Sequence, residues 1–138
     1  MKVLVTGGAG FIGSHIVDEL LKSNYRVRII DNFVTGKIEN IQHNLKKIEV
    51  VKGDIRDEKL VGKTMKGVDF VFHEAALRSV ERSIDDPIST NDVNITGTLN
   101  LLIAAKNEKV KRFIYASSSS VYGDTEESIV KLMQYFEG

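Results

Sequence analysis

The residues that could do chemistry begin at position 6. Thr6-Gly7-Gly8-Ala9-Gly10-Phe11-Ile12-Gly13 satisfies G-x-G-x-x-G through Gly8, Gly10 and Gly13, and G-x-x-G-x-x-G through Gly7, Gly10 and Gly13. Each glycine has a separate reason. The first permits a tight turn, the middle one lets a diphosphate approach bare backbone, and the last lets a helix lie close to a strand. Free N–H groups at a helix start, with the helix dipole behind them, favour negative charge. Asp31 follows 18 residues after Gly13, at the end of an apolar run. A carboxylate there accepts hydrogen bonds from ribose hydroxyls and repels a 2′-phosphate; a helix or turn cap is the plainer use of the same residue. With glycine loop and acid in register, the reading is a nucleotide site that takes NAD rather than NADP.

The elements needed to position these residues are legible from periodicity. Lys2–Thr6 reads as a buried strand and Phe11–Ser23 as a helix, with Ile12, Ile16, Val17, Leu20 and Leu21 on one stripe. Arg26–Ile30 and Ile48–Lys52 read as strands, with residues 35–45 between them as a weakly patterned helix. Asp57 can cap a short helix ending near Gly67. Val68–His73 reads as a fourth strand, a long helix over Thr90–Asn107 follows Pro87, and Val110–Ala116 reads as a fifth strand. This alternation implies an α/β, Rossmann-type, doubly wound parallel sheet of about five strands in the order 3-2-1-4-5. Ile129, Leu132, Met133 and Phe136 recur at helical spacing behind Asp124 and Glu127. They imply a terminal amphipathic helix over 125–138, appended to a nucleotide domain over 1–124.

Composition narrows the partners. Of 138 residues, 19 are Lys or Arg and 19 are Asp or Glu, so the formal charge is zero and gives no case for nucleic acid or an anionic membrane. There is no cysteine, which excludes thiolate chemistry. His15, His43 and His73 lack mutual ligand spacing, so no metal site is expected. The N-terminus enters a strand directly, so the cytoplasm is the expected location.

At this point the chain resembles the extended short-chain dehydrogenase/reductase family, and within it the NAD-dependent nucleotide-sugar 4-epimerases of the UDP-glucose or UDP-N-acetylglucosamine type. Six blocks carry the resemblance: Val5–His15, Asp31–Lys37, Gly53–Asp57, His73–Pro87, Asn91–Leu102 and Tyr115–Asp124. The resemblance implies NAD as cofactor. It implies that Gly7, Gly10, Phe11, Ile12 and Gly13 meet the pyrophosphate, and that Asp31, Asn32, Phe33, Val34, Thr35 and Gly36 bracket the adenosine ribose. It implies Asp54 on the exocyclic amine of adenine and Ile55 over the ring. Glu74, Ala75, Ala76, Leu77 and Arg78 would follow the cofactor past strand four, Ala75 and Ala76 being small so that it can cross the backbone. Asn94 would point toward it from the long helix. Ser118 would hydrogen-bond the reacting hydroxyl of a UDP-sugar. Each has a plainer reading: Asp54 as a turn residue, Arg78 as a solvated charge, Asn94 bonded within its own helix, Ser118 as a strand-end hydroxyl.

The chain departs from the family in one respect that matters. Members use a Tyr-x-x-x-Lys pair as acid/base and its electrostatic partner. Here the residue four beyond Tyr25 is Ile29, beyond Tyr115 is Ser119 and beyond Tyr122 is Glu126, and Tyr135 is too close to the end. The expectation is therefore the NAD-binding half of such an enzyme, inactive alone. Its fifth strand would be left as an edge that the tail helix covers or that pairs with a second copy.

Overall fold

The computed structural model describes residues 1–118. The expected tail helix and the 124/125 domain boundary lie outside the described residues. Five parallel strands form one sheet in the order β3-β2-β1-β4-β5: β1 (Lys2–Thr6), β2 (Arg26–Asp31), β3 (Ile48–Lys52), β4 (Phe70–His73) and β5 (Arg112–Tyr115). The register pairs Val5 with Ile29 on one side of β1 and with Phe72 on the other.

Alternation along β1 divides the apolar residues between two cores. Leu4 points to one face with Ile30, Val71 and Leu101, while Val3 and Val5 point to the other with Val17, Val27 and Ile29. α1 (Phe11–Lys22) covers the second face. The first is covered by α2 (Glu58–Met65) and α5 (Thr98–Asn107). Helices on both faces are what an all-parallel sheet needs to remove its apolar rows from water. α2 is capped as its sequence suggests: the Asp57 carboxylate accepts from the Leu60 N–H at 2.9 Å, and Gly67 beyond it has φ +70°.

Three stretches differ from the sequence reading. Residues 35–45 form no α-helix but two 3₁₀ turns, Ile38–Asn40 and Gln42–Asn44. Ile41 between them is fully buried, and the Asn40 and Asn44 amides bond to the Ala9 carbonyl and the Asp18 carboxylate. Side-chain bonds of this kind compete with the helical ladder. The long helix starts earlier than Thr90, as α4 (Pro87–Asn91), with Pro87 in its first turn and Asp86 accepting from the Ser89 N–H. It then passes through a π-helical turn, Asp92–Gly97, before α5. An additional short helix, α3 (Val80–Asp85), precedes it.

Ile114 and Tyr115 are 38% and 66% exposed. Phe72, paired in register with Ile114, lines an apolar groove with Ile12, Ile16 and Leu20 of α1. No helix among the described residues is long and apolar enough to cross a membrane.

Candidate functional site

Among the described residues, loops from four strands meet where the strand order reverses. β1 runs between β2 and β4, and the segments leaving β1, β2, β3 and β4 open away from one another there, the place where open α/β sheets take ligands. The result is a cleft open at its mouth. Its wall includes Gly7, Gly10, Phe11, Ile12 and Gly13 from the first loop. Asp31, Asn32, Val34, Thr35 and Gly36 come from the second, Asp54 and Ile55 from the third, and Glu74, Ala75, Ala76, Leu77 and Arg78 from the fourth. Ile30, Gly53 and Val93 also line it. The sequence reading gave these three no site role, though Gly53 and Val93 stood inside recognised blocks.

The glycine loop is built by close approach. The Gly7 N–H donates to the Ile30 carbonyl, and the Gly10 N–H to that of Gly7. Gly7 has φ +66°, and a Cβ on it would lie 2.9 Å from the Ala75 nitrogen. A Cβ on Gly13 would lie 2.2 Å from the Gly7 carbonyl oxygen. Gly10 differs, since a Cβ there would meet only that same oxygen, at 3.1 Å. Its bareness serves the cleft rather than the packing. No side chain caps α1, and its first turn has no acidic residue, so the positive end of the helix faces the cleft uncompensated.

Asp31 is buried beside this loop, 8% exposed. Its Oδ2 accepts from the Ala9 N–H and its Oδ1 from the Phe33 N–H, each at 2.9 Å. A carboxylate has about four acceptor positions, so two remain for a ligand. Gly36 packs over the acid: a Cβ there would lie 2.8 Å from both carboxylate oxygens. Phe33 is in the expected turn but not in the cleft wall. With φ +60° it turns its ring into the α1-side core, where it anchors the turn.

Asp54 is held differently. Its Oδ1 accepts from the backbone N–H and Nε of Arg56, and its Oδ2 from Arg56 Nη2 and Asn32 Nδ2. Hydrogen bonding from the Arg56 side chain outweighs the opposing effect of partial burial and brings the Asp54 pKa down to about 2. Arg56, which the sequence reading held only inside the Gly53–Asp57 block without a role, is therefore what fixes this acid. A basic residue two beyond an acid was the available signal.

The fourth loop hangs on a hydrogen-bonded chain. The Thr6 hydroxyl oxygen accepts from the Glu74 and Ala75 N–H groups and contacts His73 Nδ1 at 2.7 Å. His73 Nε2 contacts the Thr98 hydroxyl at 2.8 Å, and that hydroxyl donates to the Asn94 carbonyl. Thr98 thus needs a donor from His73, and Nδ1 takes the Thr6 proton, so the ring is neutral with its proton on Nε2. Burial pushes its pKa down to about 4. Asn94 closes the chain: its amide accepts from the Leu77 N–H at 2.8 Å and donates to the Leu77 carbonyl at 3.0 Å. Both ends of the amide are on Leu77 rather than aimed into the cleft, because the π-turn sets Asn94 directly against that backbone. Burial raises the Glu74 carboxyl, and the Arg78 charge opposes that rise. Ser118 lies three residues beyond β5, exposed, and outside the cleft wall.

The donor set suits a dinucleotide. There is bare helix-terminal backbone for a diphosphate, a half-used buried carboxylate for a diol, and a polar pair beside Ile55 for a flat base. The fold is a Rossmann-type α/β domain with an open cleft at the end of its sheet. The model of the NAD dependent epimerase/dehydratase family matches residues 3–135, and the chain belongs to that family. It is 45% identical over 124 residues to a putative UDP-glucose 4-epimerase of Methanocaldococcus jannaschii, covering 88% of this chain and 40% of that protein. It is 40% identical over 132 residues to a UDP-glucose 4-epimerase of Klebsiella pneumoniae, covering 90% of this chain and 94% of that one. The crystal structure of Thermus thermophilus UDP-glucose 4-epimerase complexed with NAD superposes with a TM-score of 0.84 at 41% identity, over 93% of this chain and 41% of that one. The chain is thus homologous to the N-terminal portion of UDP-glucose 4-epimerases and spans about 40% of the length of the first of these relatives.

Proposed function

We propose that the chain binds NAD in this cleft as the cofactor-holding part of a nucleotide-sugar 4-epimerase. The observation that carries the reading is the pairing of an uncapped, glycine-lined amino end of α1 with Asp31, which keeps two acceptor positions beside it. In this reading the α1 terminus, Phe11 and Ile12 take the diphosphate. Asp31, with the turn through Gly36, takes the adenosine ribose, and Ile55 and Asp54 take the base. Residues 74–78 line the path onward, with Arg78 supplying positive charge. When bound, NAD supplies a reversible hydride acceptor for a sugar carbon. The protein's part is to orient it and to hold Ser118 near the sugar hydroxyl.

No tyrosine in the 138 residues is followed at the fourth place by lysine. Loss of a general base typically slows a reaction about 10²–10⁴-fold, so the chain alone binds but does not turn over. A second reading is a non-catalytic NAD-binding module. A fragment of a dehydratase or reductase shares the same cleft and is separated by product analysis once a base is supplied. UDP-sugar is the proposed substrate of the complete enzyme, the cytoplasm its proposed location, and the exposed β5 edge a proposed contact between two copies.

Calorimetric titration of the chain with NAD, NADP and UDP-glucose tests the reading. NAD should bind, NADP should bind at least about tenfold more weakly because Asp31 repels the 2′-phosphate, and UDP-glucose alone should give no heat if the module reading holds. Absence of NAD binding, or equal binding of NADP, would falsify the assignment.

A further inference from the structure

Asp54 has no vacant acceptor position. A carboxylate offers about four. Arg56 fills three, through its backbone N–H at 2.9 Å, Nε at 3.0 Å and Nη2 at 2.9 Å. Asn32 Nδ2 fills the fourth at 3.2 Å, the longest of the set. The Asn32 Oδ1 accepts from the Val34 N–H at 3.1 Å. Asn32 therefore bridges the turn after β2 to the turn after β3, and both of the bonded residues line the cleft.

We propose that Asn32 is a specificity-determining residue for the base: its amide occupies the acceptor position on Asp54 that an exocyclic amine needs, so a base enters by exchanging one N–H donor for another. The inference rests on the reading of the cleft as a dinucleotide site. The exchange keeps the hydrogen-bond count only for a base that carries an amine hydrogen. A base without one leaves the Asn32–Asp54 bridge closed, or enters without a bond to Asp54. Arg56 is not the donor that yields. Its fork is bidentate and charge-assisted, and it keeps Asp54 ionised, hence an acceptor only, down to about pH 2. Asn32 is neutral, solvent-exposed and held by one long bond on this side.

The test uses the full chain, wild type, Asn32→Ala and Asn32→Ser, titrated with NAD and with its 1,N6-etheno analogue, whose exocyclic nitrogen carries no hydrogen. Removing the competitor should tighten NAD about two- to tenfold, the worth of one hydrogen bond, and move the analogue less than twofold, so the preference for NAD grows. Serine keeps an oxygen for the Val34 N–H and separates loss of the bridge from loss of the turn; it decides the question should the alanine variant not fold. NAD binding that weakens or stays unchanged in the variants, or two ligands shifting together, overturns the inference alone. Failure of the wild type to bind NAD overturns the dinucleotide reading itself and this inference with it.

Discussion

Asp31 and Asp54 stand at the ends of neighbouring strands and line one cleft, yet they are held in opposite ways. Asp31 is buried and fixed by two backbone N–H groups, Ala9 and Phe33, which no side-chain motion can withdraw. Asp54 is fixed mainly by side chains, the bidentate Arg56 and, by the longest bond of the set, the neutral Asn32. One end of the cleft is preorganised by main chain, the other by an exchangeable polar network. Rigidity at the first end suits a diphosphate and ribose that are shared by all such ligands. Exchange at the second, as proposed above, would let a base be selected by its hydrogens.

The contrast breaks most sharply at Gly13. Gly13→Ala places a Cβ against the Gly7 carbonyl oxygen, 2.2 Å away, and backbone on both sides cannot yield. We expect a loss of about 3 kcal/mol or more in denaturant unfolding, with NAD binding lost. A Gly13→Ala chain of unchanged stability would mean that the loop is looser than its geometry.

The His73 chain behind the fourth loop gives the next effect, read through pH. His73 is buried and neutral when folded, with a pKa near 4 against the ordinary 6.5. The unfolded state therefore binds more protons between those values. This contribution is fully present above about pH 6.5 and is lost as pH falls toward 4, about 3 kcal/mol in all. Urea melts across pH 4–7 should show this slope, and it should flatten in His73→Gln.

Gly10→Ala sharpens the comparison by separating fold from site. Its Cβ meets only the Gly7 oxygen, at 3.1 Å. Stability should stay within about 1 kcal/mol of wild type, while NAD affinity falls about tenfold or more because the Cβ stands where a diphosphate approaches. Equal losses in melting and in calorimetry would place Gly10 with Gly13 as a packing residue. The smallest effect is at the exchangeable end. In Arg56→Ala the Asp54 carboxyl, titrated by carbon NMR, should rise from about 2 toward its ordinary 3.8, and NAD should weaken only a few-fold. In the wild type Asp54's contribution to stability is present above about pH 3.8 and lost as pH falls toward 2.

How much of this was legible before folding depends on the range of the cause. The spacing of Gly7, Gly10 and Gly13 and the acid at Asp31 are short-range requirements of one βαβ unit, and the cleft assembles them together. Asp57 reads as a cap because a cap is local. The 35–45 stretch misleads because Ile41 and the Asn40 and Asn44 amides answer to α1 and the glycine loop, not to their own neighbours. Asn94 is placed by a π-turn, which no 3.6-residue period reveals.

By itself the sequence determined the alternation of strands and helices, the order of the sheet and the glycine loop, since each follows from periodicity or from spacing along the chain, and its six motif blocks carried the resemblance to the family. Only the tertiary structure decided that Phe33 packs inward, that Asn94 grips Leu77, and that Asp54 is saturated while Asp31 is not. Asn94 meets Leu77 across 17 residues and Asn32 meets Asp54 across 22, and only the folded backbone brings such groups within bonding distance.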